Sequence, residues 1–329
     1  MKCTNRICRK VVTLLLTGCM ALSLTACSGR KFDMPYGSNT AASSFKVSPG
    51  GEEQFAECFA SDICVVSSDL LDEEIDMSGA GAAVLFDVSG NEVLYSKNAH
   101  ERLHPASLTK ILTAIVALKY GSTDQVLTAT RAINIDESGA QLCGLKVGDT
   151  MTLNQALNIL LVYSANDVAM LIAEGVGGTV DHFIELMNEE AKALGATNSH
   201  FMNPHGLTQE EHYTTAYDLY LIFNEAVKNE KILEIIQKSN YETVYYDKNG
   251  KEKSFSHLST NWYLRGEYKP PEAVSVVGGK TGTTNAAGHC LMILSRDTAG
   301  NPYISIVLRS EAREMVYTEM TDLLEKINK

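Results

Sequence analysis

The chain is short of positive charge: 28 Lys and Arg stand against 40 Asp and Glu, a formal balance of −12. That deficit argues against a nucleic-acid partner and against adsorption onto anionic lipid, since both need clustered cations. None of the eight cysteines falls in a CxxC pair, so no metal site is expected of them. No segment repeats at a fixed period, which argues against a stacked-repeat architecture. What is there, 45% apolar and 21% charged residues over 329 positions, has the composition of a globular protein of one large domain or two lobes.

The first 26 residues stand apart. Lys2, Arg6, Arg9 and Lys10 precede an uncharged apolar run from Val11 to Leu24, the composition of a secretion signal. The run ends in "LTAC", Leu24 to Cys27, which resembles a lipoprotein cleavage site with Cys27 as the lipidated residue. The alternative is an uncleaved anchor, because Val11 to Gly29 is uncharged throughout and nears the length needed to span a bilayer. Either reading puts the body of the protein outside the cytoplasmic membrane, held to it at the N-terminus. Removing residues 1–26 takes away four basic and no acidic residues, leaving a balance of −16. Cys58 and Cys64 are close enough in sequence to close a small disulfide loop outside the cell, although spacing alone does not establish one.

Residues 27–78, rich in Ser, Gly and acidic side chains, read as a tether, and residues 79–329 as the folded domain. "GAAVLFDVSGNEVLYSKN" from Gly81 has two β-rich runs around Ser89-Gly90-Asn91, a hairpin signal. Helical patterns follow at Ala106–Tyr120, from Thr152, from Val180 with a terminal Gly195, and near Thr215. Asn249-Gly250 marks a second hairpin. Three β-rich segments between Ala273 and Ser310 are joined by short turns, which implies antiparallel pairing, and a helix closes the chain. The expected fold is α+β: an antiparallel sheet built from both chain ends (79–104 and 270–329), flanked by helices, with a mostly helical lobe (105–269) inserted between its second and third strands.

The chemistry concentrates in three short motifs. "SLTK" places Ser107 and Lys110 one turn apart at the mouth of a helix that is apolar or small around its circumference from Ile111 to Leu118. Burial disfavours an ammonium ion, and a second cation nearby lowers its pKa further, so Lys110 could act as a neutral base toward the Ser107 hydroxyl. SxxK alone carries little information, since ordinary usage yields about one match by chance in such a chain; "SSFK" at Ser43 is one. The support comes from "SAN" at Ser164 to Asn166, two side chains expected on similar sides of a helix, and from "GGKTGTT" at Gly278 to Thr284. Three glycines inside a strand suit a backbone that must be approached closely. Taken singly, Ser107 reads as a helix cap, Lys110 as a solvated lysine and Lys280 as an edge-strand charge; the ordered set changes that balance.

The set SLTK, SAN, KTGT resembles the signature of penicillin-binding proteins and serine β-lactamases. The phrases "NAHERLHPASLTKILTA", "LLVYSANDVAMLIAE", "FMNPHGL", "YTTAYDL" and "GGKTGTTNAAGHCL" are similar to those of low-molecular-mass D-alanyl-D-alanine carboxypeptidases, over most of the chain from Gly79. The resemblance implies a β-lactamase/transpeptidase-like fold and no cofactor. It makes Ser107 the nucleophile, Lys110 the general base, and Ser164 and Asn166 groups that relay protons and hold the substrate amide. Lys280, Thr281, Gly282 and Thr283 would bind the substrate, with the amides of Ser107 and Thr283 as oxyanion donors. An arginine near the last strand, Arg313 or Arg309, would serve the terminal carboxylate. The implied partners are the peptidoglycan stem peptide and β-lactams as inhibitors. A β-lactamase is the nearest alternative, but the ExxLN motif that accompanies SDN in one such class is missing; a penicillin-binding wall sensor without turnover is another. The related carboxypeptidases held by a C-terminal amphipathic helix differ from the N-terminal attachment expected here.

"HERLH", His100 to His104, has the letters of a zinc-protease motif, which chance supplies in about one such chain in a hundred. That chemistry needs both histidines on one helical face. Pro105 pushes His104 out of the helical region, so a connecting segment is the simpler reading.

Overall fold

Residues 82–87 alternate between two cores. In β3 (Ala82–Asp87), Ala82, Val84 and Phe86 pack toward one set of apolar side chains, and Ala83 and Leu85 toward another, as the two-residue period of a strand requires. The same alternation holds in β10 (Gly288–Arg296), where Cys290, Met292 and Leu294 oppose Leu291 and Ile293. With β4 (Glu92–Lys97), β9 (Ser275–Thr284) and β11 (Pro302–Ser310), these strands form a five-stranded antiparallel sheet in the order β4-β3-β11-β10-β9. The β3–β4 turn is held by Asp87, whose carboxylate accepts the Ser89 and Gly90 amides at 2.9 Å.

This is a computed structural model, and it describes residues 63–135 and 137–328 together with the backbone of 45–47 and 54–56. The two short N-terminal segments pair antiparallel as β1 (Phe45–Val47) and β2 (Gln54–Ala56). The proposed signal, Cys27 and Cys58 lie outside the described residues. Ala60–Lys329 forms a compact unit of its own.

The helical lobe lies between β4 and β9, as expected. Helix α1 (Thr109–Tyr120) runs through its centre with Ile111, Leu112, Ala114, Val116 and Ala117 at most 1% exposed. Around it lie α2 (Leu153–Asn158), α3 (Asn166–Gly177), α4 (Val180–Ala193), α5 (Ala216–Ala226) and α6 (Glu230–Ile236), while the short α7 (Trp262–Arg265) belongs to the other core, its Trp262 stacked on Tyr317 at 4.9 Å. Thr152 and Gln155 make a reciprocal capping box on α2, and Thr215 caps α5 through the Asp218 amide at 3.0 Å. On the opposite face of the sheet, α8 (Arg313–Glu325) buries Val316, Tyr317, Met320, Leu323 and Leu324. Among the described residues no helix is long and apolar enough to cross a membrane.

The inserted lobe, expected as mostly helical with one hairpin, carries two further short strands: β5 (Val126–Thr128), β6 (Thr150–Thr152), β7 (Asn240–Tyr246) and β8 (Glu252–Leu258) form a second, four-stranded sheet. The β7–β8 hairpin was legible from Asn249-Gly250, whereas two three-residue strands are too short to show alternation. One expectation is corrected: the tether, placed at 27–78, extends too far. Cys64, Val66, Ile75 and Met77 are buried, and the Lys97 ammonium donates to the carbonyls of Met77 and Ala80 at 2.6 and 2.7 Å. Residues 63–78 hold eight apolar side chains in sixteen, but Val65, Leu70 and Leu71 are exposed and serines and acidic residues split the rest, so the strap shows no period long enough to mark an element.

Candidate active site

The chain reaches Ser107 through a strained turn. Pro105 is followed by Ala106 at φ +47°, a left-handed conformation uncommon for a residue with a Cβ. Ser107 then sits in a 3-10 turn, Ala106–Leu108, one step before α1. Neighbouring backbone holds this turn on two sides. At Gly206, φ +88°, a Cβ would lie 1.8 Å from the Ala106 carbonyl oxygen; at Gly282 in β9, one would lie 3.0 Å from the Ser107 amide nitrogen. The approach at Gly206 requires glycine, and at Gly282 a side chain would fit only if its neighbours gave way.

Lys110 is fully buried. Its Nζ lies 2.8 Å from Ser107 Oγ, 2.8 Å from Asn166 Oδ1 and 2.7 Å from the His205 carbonyl oxygen. Burial holds this lysine well below the ordinary 10.5, and the charge of Lys280 adds to the effect. A neutral amine has two N–H groups and one lone pair. Asn166 Oδ1 and the His205 carbonyl can only accept, so they take the two N–H groups and leave the lone pair directed at Ser107. The Asn166 amide cannot turn over freely, because its Nδ2 donates to the Gln141 carbonyl at 3.2 Å. The arrangement is that of a base aimed at the hydroxyl it would deprotonate.

Ser164 and Asn166 do not share a helix as expected. The chain leaves α2 through a π turn, Ile159–Tyr163, Ser164 adopts φ +73°, and α3 begins only at Asn166. The break separates the two roles: Asn166 meets Lys110, while Ser164 Oγ accepts from Lys280 Nζ at 2.9 Å. Lys280 also donates to the Thr281 carbonyl at 2.9 Å, and burial pushes it down to about 7. Ser107, Gly282, Thr281 and Thr283 all face a cleft of about 570 Å³ between β9, the α2–α3 break, the 137–141 loop and α8. Thr281 Oγ1 donates to Thr260 Oγ1 at 2.6 Å, and Thr283 Oγ1 lies 3.1 Å from His289 Nδ1.

Of the two candidate arginines, Arg313 lines the cleft, with its guanidinium 5.8 Å from the centre of the Trp262 ring. Arg309 lies elsewhere, paired with Glu101 at 3.2 Å. Three contributors escaped the sequence reading. The His205 carbonyl completes the surroundings of Lys110. Thr260 supports Thr281. Buried Asp167 accepts the amides of Cys143, Gly144 and Leu145 at 2.8–3.0 Å and so fixes the loop above Asn166. Only the position of Asp167, directly after Asn166, hinted at its part.

The HERLH segment is not a helix. His100 Nε2 lies 2.9 Å from the Val66 carbonyl and His104 Nδ1 2.8 Å from that of His212, so the histidines serve different neighbours. Cys64 is free and buried, its thiol donating to the Asp87 carbonyl at 3.4 Å. Burial pushes the thiols of Cys143 and Cys290 up to about 12.

The fold and this cleft define a serine-lysine site set between an antiparallel sheet and a helical lobe. The chain belongs to the D-alanyl-D-alanine carboxypeptidase family, whose model matches residues 71–312. It is 36% identical over 218 residues to D-alanyl-D-alanine carboxypeptidase DacF of Bacillus subtilis, covering 64% of this chain and 53% of that protein. It is 32% identical over 254 residues to DacC of Escherichia coli, covering 74% and 60%. The chain thus spans little more than half the length of these relatives. Among solved structures it is similar to the Streptomyces K15 DD-transpeptidase, with a TM-score of 0.69 and 27% identity over 75% of this chain and 96% of that one. It is also similar to penicillin-binding protein D2 of Listeria monocytogenes in its cefotaxime-bound form, with a TM-score of 0.64 and 27% identity over 76% and 98%.

Proposed function

We propose that the protein is a serine D-alanyl-D-alanine carboxypeptidase that removes the terminal D-alanine from peptidoglycan pentapeptides. The observation that carries the reading is the fully buried Lys110, held well below the ordinary 10.5 by burial, with its nitrogen 2.8 Å from Ser107 Oγ. Ser107 Oγ attacks the carbonyl carbon of the penultimate D-alanine while its proton passes to Lys110 Nζ. The oxyanion is received by the amides of Ser107 and Thr283. The C–N bond then breaks, and the leaving amine takes the proton from Lys110, directly or through Ser164. Water repeats the sequence on the acyl-enzyme, releasing the shortened peptide and restoring the Ser107 hydroxyl. Lys280, Thr281 and Arg313 supply the positive charge and hydroxyl that suit the terminal carboxylate. β-Lactams acylate the same serine as substrate mimics.

The reading places the enzyme outside the cytoplasmic membrane, attached by lipid on Cys27, on the strength of the basic, apolar and small-residue pattern of residues 1–27. Fluorescent penicillin should label the wild type and not Ser107→Ala, with D-alanine released from a pentapeptide by the wild type alone. Equal labelling of both would remove Ser107 as nucleophile. Labelling without D-alanine release would indicate a wall sensor, and rapid loss of label with destruction of the antibiotic a β-lactamase. Cys27→Ala should move the protein out of the membrane fraction.

A further inference from the structure

Behind the nucleophile runs a chain of hydrogen bonds that the reaction scheme does not use. The imidazole of His212 is 1% exposed. Its Nδ1 accepts the Met202 amide hydrogen at 3.0 Å, which leaves the ring hydrogen of the neutral form on Nε2. Nε2 lies 2.9 Å from Thr109 Oγ1, and Thr109 Oγ1 donates to the Ala106 carbonyl at 2.9 Å. That carbonyl belongs to the same planar trans peptide as the Ser107 amide, so fixing the C=O in one direction fixes the N–H in the opposite one. The Ser107 amide nitrogen lies against β9, where a Cβ on Gly282 would come within 3.0 Å of it.

We propose that His212 is a positioning residue for acylation: through the Thr109 hydroxyl it sets the Ala106–Ser107 peptide plane, and with it the aim of the Ser107 oxyanion donor. The proposal rests on the acyl-transfer reading above. It explains how alanine keeps a left-handed conformation with glycine on either side of it, at Gly206 and Gly282, rather than at its own position. It also requires the ring to stay neutral, because a hydrogen on Nδ1 would oppose the Met202 N–H. Burial does this, pushing His212 down to about 3, and its titratable neighbours His104, His200 and Lys110 act in the same direction.

The test resolves penicillin labelling into initial binding and the acylation rate constant, in His212→Phe, His212→Gln, Thr109→Val and the His212→Phe/Thr109→Val pair. His212→Phe and Thr109→Val should each slow acylation by about 10- to 100-fold, the scale of a misplaced catalytic group, with initial binding little changed. The pair should be no slower than the slower single variant, and His212→Gln, which keeps a donor, should recover part of the rate. Unchanged acylation with a lowered melting temperature would mean a structural role only and overturn the proposal, as would additive losses in the pair. Nitrogen NMR should show His212 as the neutral Nε2–H tautomer between about pH 5 and 8; the Nδ1–H or cationic form would overturn it independently of turnover. A wild type that takes no label would count against the acyl-transfer reading instead, and the tautomer would still decide the hydrogen-bond chain.

Discussion

Lys110 and Lys280 are both buried, at 0% and 1% exposure, yet their surroundings are built differently. Lys110 rises from a helix in the centre of the inserted lobe, and three oxygens from three segments surround its nitrogen. Lys280 hangs from β9 with one side-chain partner, Ser164, and one carbonyl. Burial lowers both, and the charge of Lys280 lowers Lys110 further: Lys110 is held well below 10.5, and Lys280 is pushed down to about 7. Below about 7 Lys280 therefore holds a charge on the strand, and that charge disfavours the ammonium form of Lys110. Two lysines in one cleft can thus take the two parts the proposed reaction needs, Lys110 as base and Lys280 as cation.

The sharpest break of this contrast is Lys110→Met, which removes the base and keeps the volume. Acylation by penicillin should fall by about 10²- to 10⁴-fold, with the protein still folded by circular dichroism. Lys280→Met comes next, at about 10²- to 10³-fold, the usual loss when a fixed electrostatic partner is removed. Lys280→Arg separates charge from residue identity. In the wild type the acylation rate should decline as pH rises through about 7 and Lys280 loses its proton; a guanidinium keeps its charge, so this decline should vanish in the arginine variant. The stability effect has the opposite sign. Lys280 is depressed on folding from 10.5 to about 7, so between these values the unfolded chain binds more protons and stability rises with pH. Below about 7 the cost of burying the charge is present in full, and there Lys280→Met should melt at a higher temperature than the wild type. A lower melting temperature would mean that the Ser164 and Thr281 contacts outweigh desolvation.

A smaller effect is expected where Asp167 holds the loop above Asn166. Asp167→Asn turns an NH₂ group toward two backbone amides that now donate to Oδ2, Gly144 and Leu145. The loss should be about 1.5–3 kcal/mol, on the scale of hydrogen bonds to a charged group, read as a lower urea midpoint. A raised KM for pentapeptide should accompany it, because residues 137–141, which lead directly into this loop, line the cleft. An unchanged KM would detach the loop from substrate binding.

The parts of this site that could be read in the sequence are those whose chemistry is local. Ser107 and Lys110 are one turn apart, the glycines around Lys280 declare a closely approached strand, and Pro105 excludes a helix through HERLH. The β-rich runs, the hairpin turn at Ser89-Gly90-Asn91 and the short turns between the last three strands gave the sheet and the site of the insertion. What escaped depends on contacts between distant segments. Thr109 and His212 are 103 residues apart, Lys110 and the His205 carbonyl 95, and a backbone carbonyl has no signature in any sequence. The left-handed Ser164 was hidden for another reason: "LLVYSANDVAM" keeps a helical pattern on both sides of the break, and a π turn leaves that pattern intact. The strap at 63–78 was missed because its apolar residues come in short runs split by serines and acidic residues, with no period long enough to mark an element.

The smallest effects separate Arg313 from Arg309, two residues four apart that the sequence left as equal candidates. Arg313 opens α8, lines the cleft and lies over Trp262. Arg309 ends its reach on the opposite side of β11, against Gly81 and the exposed Glu101. Loss of an arginine bond to a substrate carboxylate is worth about 1.5–3 kcal/mol, so Arg313→Ala should raise KM for a pentapeptide by about 10- to 100-fold. A pentapeptide amidated at its C-terminus should bind both proteins equally, since it lacks the charge that Arg313 would meet. Arg309 and Glu101 keep side-chain exposures of 50% and 39%, and exposed pairs of this kind contribute about 0–1 kcal/mol. Arg309→Ala should therefore leave KM and kcat unchanged and shift the melting temperature only slightly, less so in high salt. If Arg309→Ala raised KM and Arg313→Ala did not, the carboxylate would have to lie on the outer side of β11, and the orientation proposed for the peptide in the cleft would fall with it.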